Sequence, residues 1–232
     1  VYGYRVDRMQ GVIADPRLRR ALAMAIDRQR LIATLGVTGL SPLTSLVPPG
    51  VEDLATPAVP DWVALDSARR IEEARALVAA VRGDAPDPVR ISMSLPIGAG
   101  HRQIFSLVAA DWAAIGVESE LVEVGEDADL RLFETVAPTD LATWFLRPFT
   151  CARHGYCNEA ADRALSDARV SLARIGRTQA LATADRALVD DTAFISLMTP
   201  ARWSLVQSSI DGWTPNPWAA HPLAAVRVGK RR

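Results

Sequence analysis

The chain has 232 residues, 49% of them hydrophobic and 23% charged, with 26 Lys and Arg against 27 Asp and Glu. This near-neutral balance argues against a nucleic-acid binder, and the composition excludes disordered, collagenous and disulfide-dense classes. No apolar run approaches the ~18 residues that a bilayer span requires.

The opening Val1-Tyr-Gly-Tyr-Arg5 carries no basic-then-apolar signal segment, which fits either a cytosolic protein or a processed or truncated piece. Residues 1–14 read as a leading segment. Asp15 then caps a helix with Pro16 at its first position, and Leu18, Leu22, Ala25 and Ile26 recur at helical spacing. Asp27 caps a second helix that Gly36 ends. Residues 38–62 form a proline-rich connection, long enough to be functional or to run between substructures. A helix is expected over 66–81. In Val89-Arg-Ile-Ser-Met-Ser-Leu95 the odd positions are apolar and the even ones polar, the mark of a half-buried strand. A helix over 101–115 and a strand over 117–124 complete a βαβ unit, so the two strands are expected to be parallel.

A third short strand is expected over 129–133 and a helical turn over 140–149. Helices over 158–173 and 177–189 come next, then strands over 193–199 and 202–207 and a final strand over 223–228. The fold class is α/β, with a central mixed sheet flanked by helices.

In open α/β sheets, ligands bind beyond the carboxyl ends of the parallel strands. The rule selects two loops. The first runs from Pro96 to His101, with Ser94 among the binding groups at the strand end before it, and contains Gly98 and Gly100 ahead of a helix, where free backbone N–H groups favour an anion. The second holds Glu134, Thr135 and Asp140, with Trp144 beside it as a pocket wall. No GxGxxG fingerprint or Walker motif occurs, Lys230 is the chain's one lysine, and no cofactor is expected. His101, His154 and His221 are scattered, and no nucleophile elbow exists. Cys151, His154 and Cys157 form a C-x2-H-x2-C arrangement that lacks a fourth zinc ligand. A metal, a disulfide or two free thiols all fit this spacing. Trp213 and Trp218 lie in a proline-rich turn, ready to anchor on a partner or on their own domain.

The order of these segments resembles the C-terminal portion of the extracytoplasmic solute-binding proteins of peptide-type ABC transporters, family 5. Asp15-Pro-Arg-Leu-Arg-Arg-Ala-Leu-Ala-Met-Ala-Ile-Asp-Arg28 is similar to that family's "D-x-x-V-R-x-A-(ϕ)-x-x-A-I-D-R" stretch. Residues 39–50, ending Val-Pro-Pro-Gly, resemble its proline-rich loop, and Ala114-Ile-Gly-Val-Glu118 resembles its "L-x-x-I-G-I-x-V" passage. Asn158 to Leu165 is similar to its "N-x-x-x-D-x-L" helix start, and Ile210-Asp-Gly-Trp213 to its closing turn.

The resemblance implies one lobe, residues 1–206, of a type II periplasmic-binding-protein clamshell. Residues 207–232 are expected to return to an N-terminal lobe of the same protein. It implies a peptide or related small solute and a membrane permease as partners, no nucleic acid, no metal and no catalysis. The expected location is periplasmic, with a signal peptide upstream, and the oxidising envelope favours the Cys151–Cys157 disulfide. One departure stands out. Where peptide-binding members carry "W-x-x-D-Y-x-D-P", this chain has Phe133-Glu-Thr-Val-Ala-Pro-Thr-Asp140, with Glu134 or Asp140 as the substitute charge. Two rivals remain: a small enzyme using Glu134 and Asp140 as an acid/base pair, and a cytosolic sensory lobe of a transcription regulator.

Overall fold

Short polar side chains start four helices in the computed structural model, which describes residues 1–153, 155–221 and 223–229. Asp15 accepts from the Arg17 N–H, Asp27 from Arg30, Asp66 from Arg69 and Asn158 from Ala161. Each such cap contributes about 1 kcal/mol by satisfying an orphan backbone donor. In chain order the elements are β1 (Tyr2–Val6), α1 (Pro16–Ala25), α2 (Arg28–Leu35), β2 (Ser41–Pro42) and α3 (Ser67–Arg82). Next come β3 (Val89–Ser94), α4 (Ala99–Ala113), β4 (Val117–Val122), β5 (Leu130–Glu134) and α5 (Ala142–Leu146). The chain continues through α6 (Glu159–Val170), α7 (Arg174–Asp190) and β6 (Phe194–Thr199), and ends with β7 (Ile210–Asp211) and β8 (Arg227–Val228). Among the described residues no helix is long and apolar enough to cross a membrane.

The main sheet is mixed, in the order β2-β6-β1-β5-β3-β4. β3 pairs in parallel with both β4 and β5, as the βαβ reading expects for β3 and β4. The leading segment, for which the sequence offered no element, supplies β1, a central strand antiparallel to β5 and β6. A bulge shapes this pairing: Tyr2 opposes Met198 but Gly3 opposes Ser196, so Leu197 is extra. The extra residue puts Met198 and Ser196 on opposite faces of the sheet. Gly3 permits the close approach, since a Cβ there would sit 2.3 Å from the Ile195 carbonyl oxygen.

Tyr4 packs on Trp112 of α4, ring centroids 5.9 Å apart, and the Trp112 indole donates to the Leu22 carbonyl of α1 at 2.9 Å. The opposite face carries Phe133, Phe149 and Phe194, mutually tilted or edge-on. α6 and α7 pack on each other, and α5 touches α7. The proline-rich connection is not a surface strap: Leu43, Leu46, Val47, Val51, Leu54 and Trp62 are all buried in the core.

Three expectations need correction. β3 is not half-buried, because Ser92 and Ser94 are buried along with Ile91 and Met93. Their hydroxyls are satisfied by Asp129 and Arg131, which makes the burial tolerable. Residues 202–207 form no strand, since β2 already occupies the outer edge of β6, and Trp203 and Leu205 are left exposed. The strand expected over 223–228 shrinks to the two residues of β8, which pair only with β7.

Candidate functional site

The topology decides which ends of the strands meet. β3, β4, β5 and β6 all finish at one edge of the sheet, where antiparallel β1 begins. Successive residues of a strand point to opposite faces, so this rim splits into two grooves. Tyr2, Glu134 and Met198 line one, of about 430 Å³, on the α4 side. Val1, Thr135 and Thr199 line the other, of about 470 Å³, on the α5 side. Pro200 borders both.

The α4-side groove joins four of the residues singled out from sequence: Gly98, Gly100, His101 and Glu134. The His101 Nδ1 and the Tyr2 hydroxyl are hydrogen-bonded at 2.8 Å. Burial, reinforced by the Glu134 charge, pushes the Tyr2 phenol well above its usual range, so it stays protonated. Gly98 starts α4 without a side-chain cap, which leaves first-turn N–H groups for a ligand. One groove therefore offers a carboxylate to a cation and a helix N-terminus to an anion.

The α5-side groove is mostly apolar, walled by Pro48, Pro49, Phe145 and Trp218. Thr135 sits here, its hydroxyl accepting from the Trp144 indole at 3.2 Å and its backbone N–H donating to the Val1 carbonyl at 3.0 Å. The trailing segment supplies part of this wall. Ala219 and Ala220 donate to the Ala137 and Pro138 carbonyls at 2.7 and 3.2 Å, and Arg202 donates to the Trp218 carbonyl at 3.0 Å. Among the described residues none beyond Ala201 lines the α4-side groove.

Ser94, Asp140 and Trp144 line neither groove. Ser94 is buried, and its hydroxyl accepts from Arg131 at 2.8 Å, itself paired with Asp7. Asp140 uses its carbonyl to accept from Glu52. Glu134 and Asp140 thus do not face a common cavity, and the acid/base pair of the rival enzyme reading is not assembled. His154 lies outside the described residues. Cys151 and Cys157 are joined in a disulfide. Sequence reasoning missed Tyr2, Arg202 and Trp218 as rim residues. The alternation of Tyr2, Tyr4 and Val6 was the available signal for the first.

A family model for the bacterial extracellular solute-binding proteins, family 5 Middle, matches residues 1–149. The chain belongs to this family. Di/tripeptide-binding protein 2 of Pseudomonas aeruginosa is 24% identical over 237 residues, covering 92% of this chain and 43% of that protein. The periplasmic oligopeptide-binding protein OppA of Salmonella typhimurium is 24% identical over 228 residues, covering 92% of this chain and 42% of its own. The solved structure of OppA from Burkholderia pseudomallei superposes with a TM-score of 0.83 at 25% identity, over 99% of this chain and 48% of that one. The family 5 chain described here spans less than half the length of these relatives.

Proposed function

We propose that this chain is one lobe of a receptor that binds a peptide or related zwitterionic solute and delivers it to an ABC permease. The observation that carries this reading is the α4-side groove, where Glu134 and the uncapped start of α4 present opposite charges to one ligand. A peptide's amine and carboxylate match that pair. The relatives' names, which speak of di/tripeptide and oligopeptide binding, support the same class. The receptor acts in the periplasm and binds without turnover.

A second lobe completes the cleft, and residues 207–232 return toward it. Support comes from the β7–β8 pair, which stands apart from the main sheet, and from Trp203, Leu205, Leu223 and Val228, all exposed and apolar.

The test is thermal unfolding of the full-length protein with di- and tripeptides. A solute that binds only the native state adds RT ln(1 + [L]/Kd) to stability. Free peptides raise Tm, N-acetylated peptides do so less, and Glu134→Gln weakens binding about tenfold, or ~1.4 kcal/mol. No Tm change with any peptide would overturn the reading.

A further inference from the structure

Away from the rim grooves, and sharing no residue with them, a cavity of about 580 Å³ opens between α5, the disulfide-closed loop and α6. Three arginines line it. Arg147 stands one turn after Thr143 on the α5 side, Arg153 lies within the ring closed by Cys151 and Cys157, and Arg169 comes from α6. Asp162, Leu165, Ser166 and Arg169 are spaced so that one stripe of α6 forms the wall. Thr143, Thr150 and Ser166 add hydroxyls.

These three guanidiniums have no carboxylate or hydrogen-bond acceptor among the described residues. Neighbouring arginines do: Arg163 pairs with Glu159 at 3.2 Å, Arg174 with Glu52 at 3.5 Å and Arg186 with Asp190 at 3.3 Å. The single carboxylate in the wall, Asp162, accepts from the Cys151 N–H at 3.1 Å and so ties down the loop that carries Arg153. The cavity thus gathers three positive charges against one negative.

We propose that this cavity is a binding site for a multiply charged oxyanion of the phosphate class. Guanidinium forks match phosphate oxygens bidentately, and the hydroxyls supply further donors. The same chemistry is offered by a soluble phosphate ester or by an anionic lipid headgroup, and the disulfide closes the loop that carries Arg153.

The experiment titrates the intact protein with sodium pyrophosphate at constant ionic strength, by calorimetry and by thermal unfolding, with vesicle flotation as a second arm. The vesicles contain phosphatidylglycerol or, as control, phosphatidylcholine alone. Saturable pyrophosphate binding is expected, weakened at least about tenfold in the double variant Arg147→Gln/Arg169→Gln and unchanged in Arg82→Gln, an exposed arginine outside the cavity. Binding to phosphatidylglycerol vesicles alone, lost in the same double variant, assigns the oxyanion to a lipid headgroup. Absence of binding in both arms, or binding that survives the double variant, overturns the site.

Discussion

Arg19 and Arg153 carry the same side chain in opposite surroundings. Arg19 is fully buried on α1, yet each of its three guanidinium nitrogens has an acceptor: the Asp191 carbonyl at 2.9 Å, the Ile13 and Ala14 carbonyls at 2.9 and 2.8 Å, and the Asp191 carboxylate. The other Asp191 oxygen accepts from the Tyr156 hydroxyl at 2.6 Å. Arg28, also buried, reaches the Leu43, Ser196, Ala23 and Ile26 carbonyls and lies over the Trp62 ring. Burial lowers the Arg28 pKa to about 9, and it remains charged at neutral pH. Around the cavity beside α6 the guanidiniums are exposed and pair with no carboxylate among the described residues. An arginine whose nitrogens are all engaged from within holds the fold together, whereas arginines that line a cavity and pair with no carboxylate among the described residues are poised for something from outside.

The largest expected effect breaks the first kind. Arg19→Met leaves the Asp191 carboxylate without its cation and strands the Ile13 and Ala14 carbonyls, so unfolding in urea should show a loss of about 3–5 kcal/mol. A loss below ~1 kcal/mol would remove the distinction between the two regions.

Asp185 gives the next largest effect, and its sign is opposite to that of most carboxylates. It is fully buried on α7, with one oxygen accepting from the Ala58 N–H at 2.6 Å and the other without a hydrogen-bond partner among the described residues. Burial raises its pKa to about 6, and the Ala58 N–H and the Arg186 charge offset only part of that shift. The folded state therefore holds this proton more tightly than the unfolded chain, whose value lies near 4. The contribution is fully present below about pH 4 and is lost as pH rises through 6, a change of roughly 3 kcal/mol. Asp185→Asn keeps an acceptor for Ala58 and should flatten that part of the pH–stability curve, becoming more stable than the parent at pH 7. Identical curves for both proteins would show that the site is wetter than its burial implies.

The rim lies between these extremes. Tyr2→Phe removes the hydrogen bond to His101 and should cost about 0.5–1.5 kcal/mol, read as a drop in the denaturation midpoint. If His101 is held by this contact alone, peptide affinity of the full-length protein falls with it.

Helix starts were the most legible feature of the sequence because a cap is local: Asp15, Asp27, Asp66 and Asn158 each act within three residues of themselves. The parallel pairing of β3 with β4 was legible for a similar reason, since strand, helix and strand follow one another directly. β1 escaped notice although Tyr2, Tyr4 and Val6 alternate, because its partners β5 and β6 lie more than a hundred residues away. The rim split has the same origin. Glu134 and Thr135 are neighbours in sequence but face different grooves, and the bulge opposite Gly3 decides which residues of β6 join them. Asp140 looked like a companion of Glu134 by spacing alone, but its loop turns away to meet Glu52. The arginine cavity could not be read from sequence at all. It is defined by arginines that pair with no carboxylate among the described residues, a relation that only the folded chain makes visible.

The smallest expected effect sharpens the opening contrast most. Arg153→Gln removes a charge that meets no carboxylate among the described residues, so the stability of the protein should stay within about 0.5 kcal/mol of the parent. If Arg153 were a structural arginine like Arg19, the loop between Cys151 and Cys157 would loosen and the unfolding midpoint would fall. If it serves an external oxyanion, the midpoint holds in chloride buffer, and only the extra stability conferred by pyrophosphate shrinks. Measuring both midpoints on one variant separates the two roles, because a folding defect lowers both, whereas a binding defect lowers only the second.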